Sequence, residues 1–143
     1  MYYDDDNRGK IQDPEHAKQL IDFSGIKYGK ITPTDIDGNI EYHNKAFIFY
    51  EYKYGNAEMP KGQRKALIRL VDRLNESDAE AALLICQHNT KAPEMINGAE
   101  ARVRFIYYRG KWYSENLRRN VRQVSDAFIK MVDEKDLSDP RNW

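Results

Sequence analysis

The feature that most constrains the fold is the run "KAFIFYEYK" at residues 45–53. Apolar and aromatic side chains occupy both its odd-numbered and its even-numbered positions. Successive side chains of a β-strand point to opposite faces of the sheet, so a strand of this composition is buried on both faces. Helices are the simplest cover for the two faces of one sheet. The run therefore predicts an α/β protein with a mixed central β-sheet flanked by helices.

The rest of the chain supplies the elements that such a sheet needs. Extended segments are predicted over residues 31–42, in "AALLIC" at 81–86 and over residues 101–113, with a hairpin tip at His43–Asn44 and a tight turn at Arg109–Gly110. Helices are predicted over residues 13–23 after an Asp13 cap, over residues 61–77, and after a Ser114 cap. The helix between the strands at 45–53 and 81–86 predicts a crossover between parallel neighbours.

The length of 143 residues is appropriate for one domain. We expect a flexible N-terminal segment at residues 1–12, the domain at 13–137 and a polar tail at 138–143. The chain shows no apolar run long enough to span a membrane and no signal-peptide pattern, which favours an intracellular location.

Composition excludes several functional classes. A single cysteine, Cys86, excludes an internal disulfide, and three scattered histidines offer no zinc ligand set. A net charge of +0 argues against indiscriminate attraction to nucleic acid. Residues 102–122 are nevertheless strongly basic, and this segment either holds a phosphate backbone or is a solvated face balanced by acids elsewhere.

Charged residues at one end of the predicted hairpin suggest a reactive site. Glu51 and Lys53 are two residues apart on one predicted strand, so their side chains share a face. Asp35 and Asp37 are likewise two residues apart on the strand that we expect to pair with it in the hairpin. Carboxylates packed this closely repel one another, and a divalent cation such as Mg²⁺ or Mn²⁺ relieves the repulsion. A lysine beside such an ion suits phosphodiester hydrolysis. The alternative is that these charges are solvated ends of strands, since so short a motif recurs by accident.

Three segments together resemble the PD-(D/E)XK nuclease superfamily: "TDIDG", the strand ending in "EYK", and "GQRKAL" at the start of the following helix. The likeness extends over about residues 13–90 and is greatest to small phage-type or Holliday-junction-resolvase-like members and stand-alone repair nuclease domains. It implies a restriction-endonuclease-like αβββαβ core and a Mg²⁺- or Mn²⁺-dependent deoxyribonuclease, an endonuclease in many members. It further implies DNA processing, repair or recombination in the cytoplasm of a bacterium or phage-infected cell, with DNA as partner, no membrane association and a possible homodimer.

The resemblance assigns roles by position. Asp37 matches the metal-binding acid, and Glu51 the second metal ligand, with the Tyr52 carbonyl nearby. Lys53 matches the catalytic lysine, and Gln63 the glutamine that many members place on the next helix.

The chain departs from the family pattern at the first acid, because Pro33 precedes Thr34 and only then Asp35. Either Asp35 or Asp37 can be the family aspartate; we favour Asp37, with Asp35 as an auxiliary metal ligand. Glu15 is a weaker match to an acid that some members bring from the first helix. The expected DNA-binding residues are Arg64, Lys65, Arg69, Arg118, Arg119 and Arg122.

Two other functions remain open. One is a catalytically silent nuclease-fold protein that binds DNA or a host protein as a phage accessory or anti-defence factor. The other is a generic α/β interaction module. Trp112 is expected to cover a sheet edge, and the abundant tyrosines are expected in the core more often than as stacking platforms for bases.

Overall fold

The computed structural model describes residues 9–10, 12–136 and 139–143, and it divides the chain into two compact units, Met1–Pro33 and Thr34–Trp143. In the first unit, helix α1 spans Pro14–Ala17, and the Asp13 side chain caps it by accepting a hydrogen bond from the His16 N–H at 3.3 Å. The helix predicted to continue to residue 23 is wrong. Leu20 and Ile21 are exposed, so no packing surface stabilises further turns of so short a helix. Most of the predicted flexible segment, residues 1–8 and 11, lies outside the described residues.

The second unit is built on one five-stranded mixed sheet, which confirms the α/β class. Its strands lie in chain order: β1 (Gly38–Tyr42), β2 (Ala46–Tyr54), β3 (Glu80–His88), β4 (Arg102–Tyr108) and β5 (Lys111–Ser114). Among the strands of the described residues, only β2 and β3 pair in parallel. Helix α2 (Lys61–Asn75) joins them, as the crossover prediction requires.

The β1–β2 hairpin turns where the sequence predicts, with Tyr42 opposite Ala46. His43 and Asn44 both adopt left-handed backbone angles, with φ of 47° and 57°, as a tight hairpin turn demands. The strand expected from residue 31 begins only at Gly38, however. The Asp37 carboxylate accepts the Tyr52 N–H that a longer β1 would have paired, so a side chain replaces the backbone ladder there.

Both faces of β2 are buried, which confirms the prediction from its composition. Ile48 and Tyr50 pack in one core with helix α3 (Val121–Glu134), while Phe49 packs in a second core with α2. The two helices therefore cover opposite faces of the sheet.

Helix α3 begins at Val121, so the Ser114 cap is wrong. Asn120 caps the helix in a reciprocal capping box with Gln123, whereas Ser114 is the last residue of β5. The intervening loop buries Glu115, which forms a two-pronged ion pair with Arg119 at 2.7 and 3.1 Å.

The C-terminal residues pack onto the α3 core. A short 3₁₀ helix at Pro140–Asn142 places the Trp143 ring 4.8 Å from the ring of Phe128. Arg119 also donates to the backbone carbonyl oxygens of Pro140 and Trp143. Within the described part of the chain, no helix is long and apolar enough to cross a membrane.

Candidate functional site

The sheet end beside α2 contains a buried carboxylate. Glu51 follows the apolar part of β2, and its side chain is 0% exposed. One carboxylate oxygen accepts a hydrogen bond from the Asp37 backbone N–H at 3.3 Å, and the other accepts one from the Gln63 side-chain amide at 3.0 Å. A buried glutamate held from both sides in this way has a defined position.

A second carboxylate lies directly beside it. Asp37 precedes β1 and accepts the Tyr52 backbone N–H at 2.8 Å. The N–H and C=O of one strand residue point to the same edge of the strand, so the Tyr52 carbonyl faces this aspartate. The hairpin thus brings Asp37 next to Glu51 and onto the edge of β2 to which the backbone N–H and C=O of Tyr52 point.

The environment of Glu51 opposes its ionisation. Burial, followed by the negative charge of Asp37, raises the pKa of Glu51 to about 7, while the Asp37 N–H and the Lys53 ammonium act in the opposite direction. The fold therefore favours the protonated form of this carboxyl group far more than water does for an ordinary glutamate. A cation at this position would relieve the repulsion and displace the proton.

Lys53 lies on the same strand face as Glu51, two residues further along β2. Its side chain is half-buried and makes no ion pair within 4.0 Å with any carboxylate of the described residues. Its ammonium is thus available to an anion that enters the site.

Gln63 connects three parts of the site. It projects from the first turns of α2 and donates to the Glu51 carboxylate and, at 3.1 Å, to the backbone carbonyl of Asp35. The loop before β1, the strand β2 and the helix α2 are therefore tied together at one side chain.

The side chain of one predicted ligand, Asp35, does not join this hydrogen-bond network. Asp35 contributes only its backbone carbonyl to the network, and its side chain is exposed. Glu15 lies in the first unit, where it pairs with Lys18 at 3.7 Å. No group of three or more His, Cys, Asp or Glu side chains able to hold a metal occurs among the residues that the structure describes.

The donor set that remains is the pair of carboxylates of Asp37 and Glu51 with the Tyr52 carbonyl. Protein-bound Mg²⁺ commonly uses one or two carboxylates and keeps several waters. All three donors are oxygen, which suits Mg²⁺ or Mn²⁺ and not Zn²⁺ in a thiolate or imidazole site. The residues present therefore fit such an ion.

The predicted DNA-binding residues fall into two groups. Those on α2 are exposed, and their side chains form no ion pair with another described residue: Arg64, Lys65 and Arg69. Those near α3 are paired internally: Arg118 and Arg119 with Glu115, and Arg122 with Asp126. Arg119 is also the least exposed of the three. Its guanidinium already bonds Glu115 and the C-terminal residues, so it is a poor candidate for contacting DNA.

Sequence reasoning missed a β-bulge in β4. Ile85 pairs with Phe105 while the next residue of β3, Cys86, pairs with Val103, which leaves Arg104 as the extra residue. A signal was present in the run "VRFI", because Val103 and Ile106 are apolar three residues apart and interrupt the two-residue period of a strand.

Comparisons of the chain with protein-family models, with curated proteins and with solved structures found no match in any of the three.

Proposed function

We propose that this protein is a metal-dependent nuclease that hydrolyses phosphodiester bonds in DNA, built on a PD-(D/E)XK-like core with a restriction-endonuclease-like strand arrangement. The observation that carries the proposal is the buried Glu51 carboxylate beside Asp37, with Lys53, which forms no ion pair with another described residue, on the same strand face. Ionising the buried Glu51 beside the negative charge of the exposed Asp37 costs stability, and a cation bound between the two carboxylates would offset that cost.

The carboxylates of Asp37 and Glu51 and the carbonyl of Tyr52 would hold Mg²⁺ or Mn²⁺. The ion supplies charge neutralisation on the phosphate and a more acidic bound water. Gln63 keeps Glu51 in place through its hydrogen bond, and the Tyr52 N–H does the same for Asp37. Both ligands are thus oriented before substrate arrives.

Lys53 acts on the substrate itself. Its ammonium is placed to stabilise the negative charge that grows on the phosphoryl oxygens as the water oxygen forms its bond to phosphorus. The attacking water releases a proton to the solvent, the phosphorus–oxygen bond to the leaving sugar breaks, and the leaving oxygen takes up a proton from a solvent water. The exposed cations of α2, Arg64, Lys65 and Arg69, would contact neighbouring phosphates of the strand.

The test is cleavage of linear, nicked, flapped and four-way DNA with Mg²⁺ and with Mn²⁺. Glu51→Ala and Lys53→Ala are each expected to lower the rate by at least about a hundredfold, the usual scale for a lost electrostatic or acid–base group. Lys130→Ala and Glu134→Ala on exposed positions of α3 are the matched controls and keep the wild-type rate. Full activity in either Glu51→Ala or Lys53→Ala contradicts the proposal.

Calorimetry with Mn²⁺ separates this function from a catalytically silent protein. Binding in the wild type that is lost in Glu51→Ala supports the nuclease, whereas no binding favours a protein that uses the fold only as a binding surface. Sedimentation of the free protein and its DNA complex tests the proposed homodimer.

A further inference from the structure

A cleft lies on the α2 face of the sheet, and its lining includes Ile85, the partner of Glu51 in the pairing of β2 with β3. Its volume is about 300 Å³, at the lower end of ligand pockets. Met59 and Ile85 contribute apolar lining, and the other side chains that matter here are Arg64, Arg104, Phe105 and Trp112. These four combine cationic and aromatic chemistry.

The bulge in β4 determines the position of one of the arginines. Arg104 is the extra residue of the bulge, so its side chain does not follow the regular alternation of β4 side chains between the two faces of the sheet. Its guanidinium donates to the carbonyl oxygen of Ala57, in the loop before α2, at 3.3 Å and lies 5.4 Å from the centre of the Phe105 ring. One such bond leaves most of the donors of an arginine free.

Two aromatic rings of the cleft are partly open to solvent. Phe105 is 37% exposed and Trp112 is 39% exposed, and their ring centres lie 6.4 Å apart in an edge-to-face arrangement. Aromatic groups with this exposure, next to arginines, are typical of surfaces on which nucleic-acid bases stack.

The strand register connects the cleft to the carboxylate pair. Glu51 lies opposite Ile85, which lies opposite Phe105, and laterally paired residues share a sheet face. Neighbouring strands are about 4.8 Å apart, so Phe105 is about 10 Å from Glu51 along the backbone of the sheet. On the other side of the cleft, Arg64 directly follows Gln63, which holds Glu51.

The charge of the cleft favours an anion. Its lining carries two arginines, Arg64 and Arg104, against one acid, Glu58. A nucleotide matches both the positive balance and the aromatic rings, because it carries a phosphate and a flat base. A base within a duplex is stacked and paired, and must leave the helix to reach such a cleft.

We propose, on the basis of the proposed nuclease function, that this cleft holds one unpaired nucleotide adjoining the bond that is cut. The base lies against Trp112 and Phe105, and Arg104 and Arg64 contact the flanking phosphates. The preferred substrate is therefore DNA that contains a single-stranded portion, such as an overhang or a flap.

The experiment measures binding without metal, so that no strand is cut. The full chain is titrated in EDTA with a labelled oligo(dT) of about 15 nucleotides, near the largest site of a single small domain, and with a duplex of equal length. Trp112→Ala is expected to weaken oligo(dT) binding about 5- to 150-fold, the effect of losing one stacked base. Arg104→Ala is expected to weaken binding. It should also reduce the slope of the logarithm of the binding constant against the logarithm of the salt concentration by about 1, the value for one lost phosphate contact.

Matched variants control for folding and for general charge. Trp143→Phe changes the tryptophan that lies in the α3 core, and Arg73→Ala removes an exposed arginine further along α2; both keep the wild-type affinity. The intrinsic fluorescence of Trp112 is expected to fall on addition of oligo(dT) in the wild type and in Trp143→Phe. Circular dichroism melting confirms that each variant is folded.

The outcomes separate this inference from the proposed function. Unchanged oligo(dT) affinity in both Trp112→Ala and Arg104→Ala overturns the inference, as does equal or tighter binding of the duplex. If oligo(dT) binding depends on Trp112 but the protein cuts no DNA, the nucleotide-binding cleft is supported and the nuclease function is refuted. Metal-dependent cleavage of duplex DNA that Trp112→Ala leaves unchanged keeps the nuclease and refutes the cleft.

Discussion

Replacing Glu51 by glutamine is expected to remove a loss of stability that the metal-free protein undergoes as the pH rises to neutrality. The carboxyl pKa is 4.5 before perturbation and rises to about 7 in the fold. At about 1.4 kcal/mol per unit, this difference corresponds to about 3 kcal/mol of lost stability once the group is fully ionised. Glutamine has nearly the same shape and does not ionise, so it avoids this pH-dependent loss. Its amide NH2 cannot accept one of the two hydrogen bonds that Glu51 accepts, and this adds a penalty that does not change with pH.

Whether stability rises or falls with pH depends on which state, folded or unfolded, holds the proton of Glu51. Below pH 4.5 the group is protonated in the folded and unfolded states alike, and it adds no pH dependence. Between 4.5 and about 7 the folded state keeps a proton that the unfolded state has released, so stability falls as pH rises. Above this window the loss is complete.

The assay is urea unfolding of wild type and Glu51→Gln from pH 4 to pH 8.5 at constant ionic strength, with the free energy of unfolding extrapolated to water. We expect the free energy of unfolding of Glu51→Gln, relative to that of the wild type, to rise across the window by about 3 kcal/mol. Saturating Mn²⁺ should recover stability in the wild type at high pH and not in Glu51→Gln, because the ion binds the ionised carboxylate. Parallel pH profiles for the two proteins would refute the reasoning.

Two further predictions concern the scaffold. Arg119→Ala leaves the buried Glu115 without its two-pronged partner and should cost about 3–5 kcal/mol in urea unfolding, whereas Arg73→Ala, which breaks an exposed pair, should cost less than about 1 kcal/mol. Equal losses for the two variants would contradict the structural role of Arg119. Phe128→Ala empties a fully buried site between the sheet and Trp143 and should also cost about 3–5 kcal/mol, with a loss below about 1 kcal/mol contradicting that packing.

Local patterns determined much of the fold. The double-sided composition of residues 46–54 required cover on two faces, and the helical period at 61–75 supplied the crossover to a parallel neighbour. The tip at His43–Asn44 set the hairpin register, and strand parity alone placed Lys53 on the face of Glu51. Each of these depends on neighbours within a few residues, so the sequence contained the information.

Other features were decided by the tertiary structure, because they depend on partners distant in the chain. The start of β1 depends on the Asp37 side chain taking the Tyr52 N–H, and the start of α3 on Asn120 rather than Ser114. The sequence indicated that acids would meet near Glu51, but its pKa near 7 requires the burial that the surrounding fold provides. The position of Arg104 likewise depends on a register shift against β3, which local propensity does not specify.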